Sequence, residues 1–172
     1  MKKNAIRDIL ILIVMVAIDR ITKYLAVFYL KGQPGVTLIP LKNNEKDLVK
    51  LLYCENTGSA FSMLEGKQVF LLIITVVALI AIVWLYLKLP ATKQYNLWRI
   101  TLAFLTAGAA GNMIDRIRYS YVVDFIYFEV IDFAIFNWAD ICITCSVPIL
   151  IILICKSDFD DKKEIKTIED EE

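Results

Sequence analysis

The stretch Gly108–Asp140, GAAGNMIDRIRYSYVVDFIYFEVIDFAIFNWAD, puts ionisable residues at the ends of two otherwise apolar helices. A carboxylate beside hydrocarbon loses hydration, so it is costly unless it is paired, turned to a wet cavity or put to chemical use. Asp115, Asp124 and Asp140 are the candidates. Only a short aromatic and aliphatic segment separates the last two. The second helix is therefore expected to start at the membrane surface that the first has just left, bringing the two carboxylates to one depth.

Working outward, the 172-residue chain is 58% hydrophobic with a mean hydropathy of +0.59, well above the roughly 45–50% apolar content of a soluble domain. Four apolar runs are long enough to span a bilayer, which takes about 20 helical residues each. The expected fold is a membrane all-α bundle of four transmembrane helices. A formal net charge of zero argues against a nucleic-acid partner, which needs a basic surface. The chain has no histidine, which excludes Ser-His-Asp and Cys-His mechanisms and any histidine-ligated metal. Cys142 and Cys145 have redox-motif spacing but lie inside an apolar run, where packing is the expected role.

Lys2, Lys3 and Arg7 precede the first apolar run, which resumes after Asp19-Arg20 through Leu30 with no small-residue cleavage site following. It reads as a retained first span rather than a signal peptide. Asp19 and Lys23 stand four apart, acid first, the favourable order for an ion pair on one helical face. An unpaired charge there would cost at least ~2.5 kcal/mol, so a structural salt bridge is expected. The polar stretch from Lys31 to Lys67 lies outside the membrane, with short β-rich runs at Val36–Ile39 and Leu48–Tyr53 flanking a turn at Asn43-Asn44. A small-residue loop, Glu55–Ser62, follows and carries Asn56, an amide able both to donate and to accept.

Val69–Leu87 has no charged residue and is the second span. Lys88, Lys93 and Arg99 then occur without an acid, marking a cytoplasmic loop by the positive-inside rule. The third span, Trp98–Ile114, gathers Ala107, Gly108, Ala109, Ala110 and Gly111 near its outer end. Such residues either let helix backbones approach or leave room for a substrate. Asp115 is expected to pair with Arg116 or Arg118, or Arg116 to hold a carbonyl or lipid head group. Val122–Phe133 reads as a short interfacial segment and Phe133–Cys155 as the fourth span, with Asn137 and Asp140 in its first two turns and a kink at Pro148. The domain is thus residues 1–156, with an extracytoplasmic insert at about 31–67, and residues 157–172 form a mixed-charge tail read as disordered and cytoplasmic.

If Asp124 and Asp140 approach closely they share one proton and titrate as a unit. One member can then take a proton from an attacking water while the other donates to a departing amide nitrogen. Spacing alone leaves open a blander role for each, capping a helix or pairing with an arginine.

Asp19-Arg-Ile-Thr-Lys23, Asn56-Thr-Gly-Ser-Ala-Phe61, Gly111-Asn-Met-Ile-Asp-Arg116, Val122-Val-Asp-Phe125 and Phe136-Asn-Trp-Ala-Asp140 occur in order between the spans. Together these motifs resemble those of lipoprotein signal peptidase, the bacterial signal peptidase II. The resemblance implies a cofactor-independent aspartyl peptidase of the inner membrane, a monomer with both termini cytoplasmic and the Lys31–Lys67 insert folded as an extracytoplasmic β-cradle. It implies Asp124 and Asp140 as the catalytic pair, Asn56, Asn112, Arg116 and Asn137 as substrate-binding residues, and Asp19, Lys23 and Asp115 as structural support. The implied substrates are prolipoproteins in the membrane lipid, cleaved just before a diacylglyceryl-modified cysteine; the implied inhibitor is the cyclic peptide globomycin. Ser59, Trp138 and Ser120 depart from the family's usual Ala, Leu and Gly, and only Ser120 touches backbone freedom.

Three other readings compete. A proton-coupled transporter or channel subunit would use Asp19, Asp115, Asp124 and Asp140 as a relay through the bilayer. A Ser-Lys peptidase would use Ser59 or Ser62 with Lys67 or Lys23. A non-catalytic membrane scaffold would need none of these.

Overall fold

The computed structural model describes residues 2–41, 46–58 and 64–171. The expected turn at Asn43-Asn44, and Ser59, Phe61 and Ser62 of the small-residue loop, lie outside them. Four long helices and a three-stranded antiparallel sheet follow the order α1 (Lys2–Leu30), β1 (Val36–Ile39), β2 (Val49–Asn56), α2 (Gln68–Lys88), α3 (Asn96–Tyr119), β3 (Val122–Tyr127) and α4 (Trp138–Glu171). Helix α3 is central and packs against each of the other three.

Among the described residues two segments are long and apolar enough to cross a membrane, α2 with a mean hydropathy of 3.0 and Trp138–Ser157 of α4 with 2.3. Helix α2 is apolar all round and buries only Leu71 among the described side chains, as expected for a helix facing hydrocarbon. Helices α1 and α3 carry Asp19, Arg20 and Lys23, and Asp115, Arg116 and Arg118, which interrupt their apolar runs. Helix α4 contains Pro148 and continues past the apolar span through the Lys- and Glu-rich segment to Glu171, a composition with good helix propensity.

The segment Val122–Phe133, expected to lie along the interface, begins instead as the third strand. β3 pairs with β2 in antiparallel register, Cys54 opposite Asp124 and Asn56 opposite Val122, and a 3₁₀ turn at Glu129–Ile131 follows. The β-branched and aromatic run Val-Val-Asp-Phe-Ile-Tyr suits a strand, but both of its faces are covered, so it lacks the apolar-polar alternation that marks a half-exposed one. Val123 and Phe125 pack on Ala26 and Leu30 of α1, joined by Leu51 and Tyr53. Strand pleating turns Val122 and Asp124 the other way. β2 also runs further than expected, so that Glu55 and Asn56 end a strand rather than start a loop.

The small residues of α3 divide by face. A Cβ on Gly108 would stand 2.5 Å from the Ala139 carbonyl oxygen and 2.8 Å from Ile143 Cγ1, and one on Gly111 would stand 2.7 Å from Asp19 Oδ2. These glycines bring α3 against α4 and α1. Leu105, Ala109, Asn112 and Arg116, at helical spacing on another face, line a cavity instead. Close helix approach and open space thus both occur, on separate sides of one helix.

The end of the bundle remote from the sheet holds a buried polar cluster. Asp8 Oδ2 accepts from Tyr86 Oη at 2.8 Å and Arg99 Nε at 3.0 Å, and Asp8 Oδ1 accepts from Arg7. Arg99, read from sequence only as a cytoplasmic charge, is buried over the Tyr86 ring at 4.4 Å. One carboxylate thereby fastens α2 to α1 and α3. Cys142 is buried and Cys145 exposed, both with free thiols.

α3 ends at Ser120, which takes the left-handed conformation at φ 62°, where a side chain is disfavoured by about 1–2 kcal/mol. Thermal unfolding in detergent should separate two glycine exchanges by sign. Gly108→Ala is expected to lower stability by about 1–3 kcal/mol, because the new methyl meets backbone. Ser120→Gly is expected to raise it by up to about 1 kcal/mol, part of the relief being offset by the freer unfolded chain.

Candidate active site

An apolar cavity of about 1340 Å³ runs between α2, α3 and α4 and reaches the sheet, where Asn56, Asn112, Arg116, Asp124 and Asp140 enter its lining. Each comes from a different local device. On β2 and β3, Asn56 and Asp124 are diagonal neighbours on one face, and Asn56 Nδ2 donates to Asp124 Oδ2 at 2.9 Å. Asn112 and Arg116 lie one turn apart on α3. Asp140 sits in the first turn of α4.

That turn is a reciprocal cap. Asn137 Oδ1 accepts the Asp140 backbone N–H at 3.2 Å, and Asp140 Oδ2 accepts the Asn137 backbone N–H at 3.1 Å. This is capping-box geometry built from Asn and Asp, and it satisfies two amide donors at the start of α4. Asn137 therefore precedes the helix rather than lying within it. Its Nδ2 reaches Asp124 Oδ1 at 2.6 Å. Asp140 Oδ1 accepts from Asn112 Nδ2 at 2.8 Å. All four oxygens of the two carboxylates thus receive an N–H, and Asn137 touches both acids.

Burial, and next the neighbouring Asp140 charge, push the Asp124 carboxyl up to about 6; the hydrogen bonds from Asn56 and Asn137 oppose the rise. Asp124 therefore keeps its proton to a higher pH than an ordinary aspartate.

Behind the pair lies a charge cluster. Lys23 Nζ is 3.2 Å from Asp19 Oδ1 and 2.8 Å from Asp115 Oδ2. Arg20 donates to Asp19, to Asp115 Oδ1 at 2.5 Å and to the Gly111 carbonyl at 2.8 Å. Asp19 Oδ1 also accepts the Ala139 N–H, and Asp115 Oδ2 the Val123 N–H, each at 3.2 Å. Two acids and two bases bind α1, α3, β3 and α4 together. The Asp19–Lys23 pair is where the sequence places it, but Asp115 does not pair with Arg116 or Arg118. Arg116, one residue on, points about 100° round α3, and Arg118, though a helical neighbour of Asp115, is exposed over the Tyr119 ring at 5.1 Å, whereas Arg20 and Lys23 meet Asp115 across the helix interface. Arg20 was missed; its place one turn before Lys23 was the available signal.

Arg116 faces the cavity, donates from Nη2 to the Gly58 carbonyl at 3.1 Å, and has a buried Nε without a partner among the described residues. Among the described residues no cluster of His, Cys, Asp or Glu has metal-binding geometry.

Residues 11–156 match the family model described as Signal peptidase (SPase) II. The lipoprotein signal peptidase of Clostridium tetani is 38% identical over 160 residues, covering 91% of this chain and 97% of that one. That of Caldanaerobacter subterraneus subsp. tengcongensis is 42% identical over 142 residues, covering 83% and 91%. A bacterial membrane enzyme solved by the in meso method at 2.3 Å superposes with a TM-score of 0.75 at 34% identity, covering 88% of this chain and 89% of that one.

The raised Asp124 carboxyl is open to direct titration. Infrared spectra should show a protonated-carboxyl C=O band that is lost with a midpoint near pH 6 and is missing from Asp124→Asn. A band lost near the ordinary value of 3.8 would contradict the assignment.

Proposed function

This chain belongs to the signal peptidase II family, and we propose that it is an aspartyl endopeptidase that cleaves prolipoproteins just before a diacylglyceryl-modified cysteine. The observation that carries the reading is the pair Asp124 and Asp140, bridged by Asn137 at the polar end of an apolar cavity. A membrane enzyme of this kind needs a water-activating pair at the depth where a lipid-anchored peptide leaves the bilayer.

In the proposed reaction, Asp140 is the ionised member, in the first turn of α4 where negative charge is favoured. It takes a proton from water as the water oxygen bonds to the scissile carbonyl carbon. Asp124, with its raised affinity for a proton, gives that proton to the amide nitrogen as the C–N bond breaks. Transfer of one proton from Asp140 to Asp124 restores the pair. Arg116 faces the cavity with N–H groups to spare and is assigned to the scissile carbonyl oxygen or the adjacent backbone. Asn56, Asn112 and Asn137 hold the carboxylates and contact the substrate's polar backbone.

The remaining cavity wall, with Ala78, Ala81, Leu105, Ala109 and Thr144, suits the apolar signal helix and lipid chains. We assign all four helices to the membrane, α1 and α3 crossing with their charges paired inside the bundle. Lys88, Lys93 and Arg99 at the end remote from the pair support, by the positive-inside rule, a reading with both termini in the cytoplasm and the site at the outer face of the inner membrane. The gathering of Asp19, Asp115, Asp124 and Asp140 at one end disfavours a relay through the bilayer. Lys23 already has an acceptor for each of its N–H groups, which disfavours it as a serine's base.

The test uses protein purified in detergent with a diacylglyceryl-modified prolipoprotein. The parent is expected to cleave before the modified cysteine and to be inhibited by globomycin. Asp124→Asn and Asp140→Asn are each expected to lose about 10²–10⁴-fold in kcat while remaining folded. Cleavage retained by either folded variant would remove that residue from the pair.

A further inference from the structure

The salt-bridge role expected for Lys23 accounts for only part of its geometry. Its ammonium is 3% exposed and contacts Asp115 and Asp19, and its third contact is the side-chain oxygen of Asn112 at 2.9 Å. An ammonium has three N–H donors and no acceptor. The atom that Asn112 turns toward Lys23 must therefore be its carbonyl oxygen, which leaves the NH₂ facing Asp140 Oδ1 at 2.8 Å. Neutralising Asp19 and Asp115 does not require this third contact.

The other two amides at the carboxylates are oriented locally. Asn56 Oδ1 accepts the Gly58 N–H at 2.9 Å, so its NH₂ faces Asp124. Asn137 Oδ1 accepts the Asp140 N–H, so its NH₂ also faces Asp124, with a longer contact of 3.2 Å to Asn112 Oδ1. Both are set by a backbone N–H within three residues. Asn112 is set by a charge on another helix.

We propose that Lys23 is a positioning residue for the cleavage reaction: by donating to the side-chain oxygen of Asn112, it keeps that residue's N–H donor on Asp140. This rests on the reading of Asp124 and Asp140 as the catalytic pair. Without Lys23 the Asn112 amide is held only by the weaker Asn137 contact and can turn its oxygen to Asp140, setting acceptor against acceptor. The donor is then lost from the carboxylate that takes the proton from water. The apolar cavity wall assigned to the signal helix and lipid chains is unaffected, and of the polar contacts to substrate only that of Asn112 changes, so the loss falls mainly in kcat rather than in KM.

The experiment compares three proteins on the diacylglyceryl-modified prolipoprotein: the parent, Lys23→Arg, and Lys23→Met combined with Asp115→Asn, which keeps the cluster neutral. Circular dichroism and a cooperative unfolding transition establish folding. The expected result is a loss of about 10–100-fold in kcat for the Met combination with KM within about twofold, and a clear recovery in Lys23→Arg, whose guanidinium also only donates. If the Asp115→Asn combination does not fold, Lys23→Met with Asp19→Asn is measured in its place. A folded Met combination with the parent's kcat, or a Lys23→Arg protein no better than it, would overturn the proposal. Asp124→Asn and Asp140→Asn run alongside. If they also cleave, the catalytic pair itself is misassigned; if they are inactive while the Lys23 proteins keep the parent's kcat, only the role of Lys23 fails.

Discussion

The structure depends on the desolvation of four charges. Asp19 and Asp115 are each 1% exposed and Lys23 3%, with Arg20 closing the cluster. Removing one partner of such a group leaves a buried charge uncompensated, at a cost of several kcal/mol. The cluster must therefore be complete, and completeness requires α1 and α3 to meet at one level. Gly111 gives Asp19 the space to lie against α3. The Ala139 and Val123 N–H groups then tie the start of α4 and strand β3 to the same two carboxylates. The residues after those anchors, Asp124 and Asp140, are carried into place as a consequence.

A division of labour follows along the bundle. The inner charges are neutralised by one another and hold the frame, while the outer carboxylates meet only neutral donors, namely three asparagine amides and a backbone N–H. Neutral donors support a carboxylate without cancelling its charge, which is the setting the proposed proton exchange requires. That is the physical reason Asp115 and Asp124, nine residues apart, occupy such different settings.

Much of this was legible in the sequence. The apolar runs marked the helices, the Asp19–Lys23 spacing marked an ion pair, and the five motifs identified the family to which the chain belongs. The third strand was not legible, because Val122–Tyr127 is covered on both faces and shows no alternation. Nor were the partners of Asp115 and Asp8, since contacts across helix interfaces depend on rotation about the helix axis, which charge spacing does not report. The asparagines were recognisable as site residues by resemblance, but their polarity required the contacts of Lys23, Gly58 and the first turn of α4.

The central claim is that two carboxylates share one proton and exchange it during hydrolysis. The pH dependence of kcat/KM for cleavage of the diacylglyceryl-modified prolipoprotein tests it most directly. The account predicts a bell: an acidic limb where the second carboxylate becomes protonated, and an alkaline limb near pH 6 where the proton held by Asp124 is lost. A flat profile from acid to alkali, with the protein folded throughout, would contradict it.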